Sequence, residues 1–421
     1  MATDEAAERA LTTDQAARLL GVKPETVYAY VSRGLLRRRR GEDGRSSLFA
    51  ADEVRRLAAK HARSAPAKGS TPSIETRLTS MTDGSLHYRG QDVAQLAGSV
   101  GFEAVVALLW TGSPDEPPSL SVPPATTKKA KAAIKPLAAD ARPCDLLPIV
   151  VAAAATADPL RYDVQPDTVM RTGCTLLAVL AEALPRIGAE PQPISRSEPP
   201  PLAARLWPAL TSRPPTGEAL RALDAAMVLL ADHDLAASTM AARLAASTRA
   251  HPYAVVGAGL GVLAGPRHGA AAGLAHRFLR DTLRGGDPVG ELSERLREGG
   301  GQAPGFGEDF YPGGDPRAAR LLEILLGSDL PDDLRSTVVR LRDATADRPR
   351  IRPNVDFALA VLCHANEMVA GAGETVRAIA RTAGWIAHAL EEYREPPDRL
   401  RPTGIYTGAR AGRSRTMNTY R

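Results

Sequence analysis

The sequence is poor in aromatic residues, which make up 4% of it, and its three cysteines, Cys144, Cys174 and Cys363, are scattered with no close pair. That scatter argues against a disulfide framework or a zinc site and fits a reducing compartment. No apolar run reaches the ~18 residues of a membrane span, and no basic, apolar, small-residue leader precedes the first polar stretch. These absences predict a soluble cytoplasmic protein with no membrane partner and no metal. What remains is rich in alanine and leucine, which favours helices. A chain of 421 residues exceeds an ordinary single domain of about 50–250 residues, so at least two domains are expected.

The charge is unevenly placed. Residues 1–68 hold fourteen Lys and Arg against nine Asp and Glu, which accounts for the whole net charge of +5. The rest of the chain carries 39 of each sign. Within the basic segment, residues 1–10 read as frayed, and Thr12 or Thr13 caps a helix that Gly21 stops. Pro24 opens a second helix running to Val31, so the spacing is that of a helix-turn-helix. Two short extended runs flank a glycine-containing turn, one of them holding Arg37, Arg38, Arg39 and Arg40 and the other beginning at Arg45, and they predict a hairpin. Asp52 and Glu53 start a further helix through Val54 and Leu57. Residues 1–63 are thus a winged helix-turn-helix, similar to the MerR and excisionase types. Arg33, Arg37, Arg38, Arg39, Arg40 and Arg45 are its candidate phosphate contacts to double-stranded DNA; the competing reading is a solvated surface strand. Residues 64–73, rich in Pro, Ser and Lys, form a linker. Ser113–Thr127 and Ile187–Pro201 read as surface loops, and no internal repeat is evident.

The organising stretch of the remainder runs from Leu229 to Gly269. It contains Ala231-Asp232-His233, Ser238-Thr239 with Arg243, Ser247-Thr248, and Gly265-Pro266-Arg267-His268-Gly269. Later come Gly305-Phe306-Gly307, Asp315-Pro316-Arg317, Pro353-Asn354-Val355-Asp356, Ala380-Arg381-Thr382-Ala383-Gly384-Trp385-Ile386-Ala387-His388, and Arg401-Pro402 with Tyr406-Thr407-Gly408. Upstream lie Asp83-Gly84, Tyr88-Arg89-Gly90 and Leu108-Leu109-Trp110-Thr111-Gly112. In this order the motifs resemble the citrate synthase family over residues 74–421. The resemblance implies a mainly α, two-domain, almost all-helical citrate synthase fold behind the winged helix. Its large domain would comprise 74–267 and 357–421, and its small domain about 268–356, with the site in the cleft between them.

In that family an aspartate takes an α-proton from an acyl-CoA thioester, one histidine hydrogen-bonds the enol oxygen, and a second polarises the carbonyl of oxaloacetate. The chemistry needs a base within reach of the proton, a donor where charge develops, and cations for the two carboxylates. The resemblance assigns Asp356 as base and His268 as enol donor; the bland reading of Asp356 is a helix cap. His233, Arg317, Arg381 and Arg401 match the residues that hold oxaloacetate, with Arg401 reaching in from the partner of a homodimer. Guanidinium forks suit carboxylates. No cofactor is implied beyond acyl-CoA as substrate.

One catalytic position departs. Glu308 stands where the family has its second catalytic histidine. Ionised, it would repel a dianion; buried and protonated, it could donate a hydrogen bond. Arg267 stands where the family carries an apolar residue, and Gly269-Ala270-Ala271-Ala272 replaces its Gly-Gly-Ala-Asn. Either Arg267 pairs with Glu308 and neutralises it, or both are independent losses. Two functions follow. The first is an acyltransferase that joins acetyl-CoA or a related acyl-CoA to oxaloacetate or another 2-oxo acid, the chemistry by which acetyl units enter the tricarboxylic acid cycle. The second is a ligand sensor that reports a dicarboxylate or a CoA ester through DNA.

Overall fold

The computed structural model describes residues 10–20, 22–41, 47–51, 53, 54, 57, 74–82, 84–188 and 200–402. Gly21, Arg45, Asp52, the linker 64–73, Asp83, residues 189–199 of the second loop and Tyr406-Thr407-Gly408 lie outside the described residues. The chain divides into two compact units, Met1–Glu75 and Thr76–Arg421.

In the first unit, β1 (Ala10–Thr12) leads into α1 (Thr13–Leu20), followed by α2 (Pro24–Ser32), β2 (Arg38–Arg40) and β3 (Ser47–Ala50). Thr12 caps α1 in a reciprocal box. Its backbone N–H donates to Gln15 Oε1 at 2.9 Å, and its hydroxyl accepts from the Gln15 N–H at 3.4 Å. α2 starts on Pro24 and is closed by Arg33 and then Gly34, whose φ of +71° is a left-handed conformation that glycine adopts without penalty. The hairpin of β2 and β3 is antiparallel, with Arg38 opposite Phe49 and Arg40 opposite Ser47. β1 pairs with the other edge of β3, Leu11 opposite Phe49, so Ala10, the last residue of the stretch expected to fray, opens an edge strand of a three-stranded sheet. Such a strand is too short to show a period in sequence, and only its partner reveals it. Ala16, Ala17, Val27, Tyr30, Leu36, Phe49, Val54 and Leu57 form the core.

The second unit begins with a small antiparallel sheet, β4 (Thr79–Thr82), β5 (Ser85–Tyr88) and β6 (Gln91–Asp92), and is otherwise helical. Its helices are α3 (Val93–Leu96), α4 (Phe102–Thr111), α5 (Pro124–Ile134), α6 (Pro143–Ala155), α7 (Pro166–Glu182), α8 (Leu202–Leu210) and α9 (Gly217–Leu230). They continue with α10 (Ala237–Ser247), α11 (Pro252–Leu263), α12 (Ala271–Gly285), α13 (Pro288–Glu298), α14 (Pro316–Leu326), α15 (Asp332–Ala344), α16 (Val355–Ala365) and α17 (Ala372–Glu392). Pro124, Pro143, Pro166, Pro252, Pro288 and Pro316 each open a helix, where the missing N–H costs nothing.

α17 is the axis of this unit. It is buried along almost its entire length, from Ala372 to Glu392, among α4, α7, α9, α10 and α11. Trp385 is wholly buried on it, and Gly173, Gly259 and Gly384 mark where neighbouring chain comes too close for a side chain. α12 and α14 pack on α16, and α13 on α15, so helices from the 271–344 segment cover one end of α16. No helix among the described residues is long and apolar enough to cross a membrane.

Candidate active site

Three helix N-termini open on one cavity of about 880 Å³. Asn354 caps α16, its side chain accepting from the Asp356 N–H at 3.0 Å and the Phe357 N–H at 3.4 Å. The cap is therefore Asn354, which leaves the Asp356 carboxylate to face the cavity. Asp315 caps α14, accepting from the Arg317 N–H at 3.0 Å, and grips the Arg317 guanidinium with two bonds of 2.9 Å. Its second oxygen also accepts from the Val355 N–H at 3.0 Å, so one carboxylate fixes the starts of α14 and α16 together. α10 begins at Ala237, and its N-cap residue, Ala236, supplies no side-chain cap. The partial positive charge of these ends favours an anionic ligand.

Against these ends stand His233, His268, Glu308, Arg317, Asp356 and Arg381, all lining the same cavity. Arg381 lies on α17, and its Nε donates to the Leu230 carbonyl at 2.9 Å. Gly384, one turn further, has its N–H on the Ala231 carbonyl at 3.1 Å. A Cβ there would lie 2.5 Å from that oxygen and 2.5 Å from Asp232 Oδ1. This close approach holds the end of α9, and with it His233, against α17. The His233 Nε2 is 2.9 Å from the Tyr311 hydroxyl, and the His268 Nε2 is 2.8 Å from the Ser238 hydroxyl.

Burial sets the protonation states. It pushes His268 down to about 4, helped by the charges of Arg381 and Arg377, and it pushes His233 well below the ordinary histidine value, helped by Arg317 and Arg381. Both rings are therefore neutral near pH 7. Burial raises Glu308, opposed by Arg317, and raises Asp356, opposed by Arg377. Arg381 is lowered to about 10 by burial against the opposing pull of Asp232, and stays cationic.

One expectation changes, that Arg267 neutralises Glu308. Arg267 is exposed and makes no ion pair with Glu308; the partner is Arg317, whose Nη2 is 3.6 Å from Glu308 Oε2. Asp315 aims Arg317 at residue 308 from the first turn of α14, whereas nothing comparable restrains Arg267. Arg401 lies exposed outside the cavity of its own chain, with its N–H on the Asp398 carbonyl. The sequence reading also missed Arg377. It lies one helical turn before Arg381, lines the cavity, is 7% exposed and forms an ion pair with Asp356 through Nη2. The available signal was the i, i+4 spacing to Arg381, which puts both guanidiniums on one face of α17. Tyr311 was missed as well; its ring lies 5.5 Å from the Arg317 guanidinium carbon. In the first unit, Arg33, Arg37, Arg38, Arg39 and Arg40 are exposed.

The family model described as citrate synthase, C-terminal domain, matches residues 68–403. The chain belongs to the citrate synthase family. A helix-turn-helix family model matches residues 10–62 ahead of it. Citrate synthase 2 of Bacillus subtilis (strain 168) is 27% identical over 354 residues, covering 79% of this chain and 92% of that protein. The citrate synthase of Synechocystis is 29% identical, covering 80% of this chain and 89% of that one. The 2-methylcitrate synthase 2 of Corynebacterium glutamicum is 27% identical, covering 77% and 90%. Among solved structures, the Thermoplasma acidophilum citrate synthase, in a ternary complex with carboxymethyl coenzyme A and oxaloacetate, shares the fold. Its TM-score is 0.65 at 24% identity, covering 81% of this chain and 94% of that one. The body thus has the two-domain helical citrate synthase fold, with the winged helix-turn-helix before it.

Proposed function

We propose that the chain is a citrate synthase-type acyltransferase, condensing acetyl-CoA or a related acyl-CoA with oxaloacetate or another 2-oxo acid. The observation that carries this reading is the convergence of Asp356 and His268 on one cavity together with Arg317, Arg377 and Arg381. The dicarboxylate binds the guanidiniums and the helix ends. Asp356 takes the α-proton of the thioester, and His268, neutral, donates a hydrogen bond to the enol oxygen as the C–H bond breaks. The enol carbon attacks the 2-oxo carbonyl, whose oxygen gains a proton, and water then cleaves the thioester to release CoA and citrate or a homologue. Glu308 supplies the hydrogen bond to that carbonyl in its protonated form, which its burial favours.

The assembly that completes this site is a homodimer in which Arg401 enters the partner's cavity. Support comes from α11, where Gly257 and Gly261 have open space above them beside the exposed Val262. The exposed arginines of the first unit take double-stranded DNA. The body itself divides into a large part, 74–267 with 357–421, and a small part, about 268–356.

A second reading, a dicarboxylate or CoA-ester sensor with a degenerate site, is favoured by one observation: Glu308 occupies Arg317 and Asp356 occupies Arg377. Thiol release from acetyl-CoA and from propionyl-CoA with oxaloacetate separates the two. Release that requires both substrates and disappears in Asp356→Asn supports the synthase, and none above that blank with either thioester favours the sensor.

A further inference from the structure

Arg377 is the one cavity arginine whose main partner is the proposed base itself. Its Nη2 pairs with Asp356 Oδ1, while its Nε is buried with no hydrogen-bond partner. A guanidinium carries five N–H donors in a planar fork, and Arg377 lines the cavity while only its Nη2 engages Asp356, so it keeps further donors for a ligand. Arg317 is differently placed. Two bonds to Asp315, itself 3% exposed, hold it, and Glu308 stands 3.6 Å away. Arg381 rests on the Leu230 carbonyl and has no carboxylate within ion-pair distance among the described residues. A dianion entering this cavity therefore finds Arg381 open and Arg377 contested.

We propose that Arg377 is a specificity-determining and positioning residue that a substrate carboxylate takes from Asp356, so that binding of the dicarboxylate releases the base. This rests on the reading of the cavity as a dicarboxylate site and deepens it. Two carboxylates compete for one fork in a restricted space, and the one that loses is left without its counterion. Asp356, freed from Arg377 and still facing Arg317, Asp315 and Glu308, becomes a stronger base than it was in the pair. Without the dicarboxylate, the ion pair holds Asp356 back and the thioester is spared. The coupling is reciprocal, because whatever removes Asp356 from Arg377 strengthens the dicarboxylate, and the reverse.

The test uses the full chain and malate, a dicarboxylate with no carbonyl to attack, with affinity read by calorimetry. Asp356→Asn removes the competitor and should bind malate about tenfold more tightly than the unsubstituted chain, whereas Arg377→Gln should bind about tenfold more weakly. The double variant should match Arg377→Gln, because the gain from Asp356→Asn acts only through Arg377. Arg377→Lys, which keeps the charge without the fork, should fall between the unsubstituted chain and Arg377→Gln, and replaces the latter if it does not fold. The proposal is overturned if Asp356→Asn binds no more tightly, if its gain persists without Arg377 as a general charge effect would, or if none of the chains binds malate. Thiol release distinguishes this from the function proposed above: the affinity pattern without any release removes the synthase and keeps Arg377's role, and release without the pattern does the opposite.

Discussion

α17 feeds two polar clusters of similar composition and opposite character. Toward the cavity it presents Arg377 and Arg381; about two to three turns further it presents His388, Glu391 and Glu392 to a buried network. There Arg243, 1% exposed, donates to His388 Nδ1 at 2.9 Å, to Glu391 at 2.8 Å and to Glu392 at 3.2 Å, and Arg399 reaches the same Glu392 at 2.7 Å. Because arginine only donates, His388 Nδ1 accepts and Nε2 donates, 3.2 Å from Asp232 Oδ2. Arg243, His388, Glu391 and Glu392 are each answered from within the protein, and only Asp232 Oδ1, at the far edge of the network, is buried without a hydrogen-bond partner. In the cavity the answers are partial: Arg377 Nε is unpartnered and Arg317 reaches Glu308 only at 3.6 Å. Completed polar clusters hold the fold, and incomplete ones around a cavity await a ligand.

The sharpest way to break the comparison is to remove one partner from an arginine–carboxylate pair on each side. Arg243→Met leaves Glu392, fully buried, with only Arg399, and should cost about 3–5 kcal/mol in a denaturant titration. Asp356→Asn leaves Arg377 beside an open cavity that water can enter, and should cost less than about 1 kcal/mol. The activities invert: Asp356→Asn should lower thiol release about 10²–10⁴-fold. Equal stability losses would mean that the two clusters do the same job.

Acid should separate them next. His268 is held down to about 4, and His233 also well below its ordinary value, so the unfolded chain binds protons in that range that the folded chain does not. The stability from their neutral forms is fully present above about 6.5 and is lost as pH falls from there toward 4. Denaturation midpoints across that window should fall, and His268→Asn should flatten part of the slope. Thiol release should show no inflection near 6.5 from His268; one that disappears in His268→Asn would contradict the assigned state.

His233, His268, Arg317, Asp356 and Arg381 were legible as cavity residues because each sits in a short contiguous motif that resembles the citrate synthase family's. Partnerships were not legible. Arg377 and Asp356 are far apart in sequence and meet only because α16 and α17 pack. Of the two readings left open for Arg267 and Glu308, their pairing fails, because Asp315 delivers Arg317 to Glu308 instead. The helix-turn-helix was readable from Thr12, Pro24 and the basic run, since these are local signals, but β1 needed Phe49 across the sheet.

The smallest effects are expected in the basic hairpin, where charges are exposed rather than enclosed. Strand alternation puts Arg38 and Arg40 on the face shared with Phe49 and Ser47, their cross-strand partners, and Arg39 on the other. The first face is also that of α2, since Tyr28 carries Arg38 5.8 Å from its ring centroid and its hydroxyl reaches Ser47 at 3.4 Å. Phosphates that follow α2 along a groove should therefore meet Arg38 and Arg40 before Arg39. For the full chain on duplex DNA, Arg40→Ala should reduce the slope of log affinity against log salt by about 0.9, the value for one phosphate contact, while Arg39→Ala should change it less. Affinity that does not depend on salt would remove the phosphate contacts, and a larger change for Arg39 would place the DNA on the opposite face of the strand.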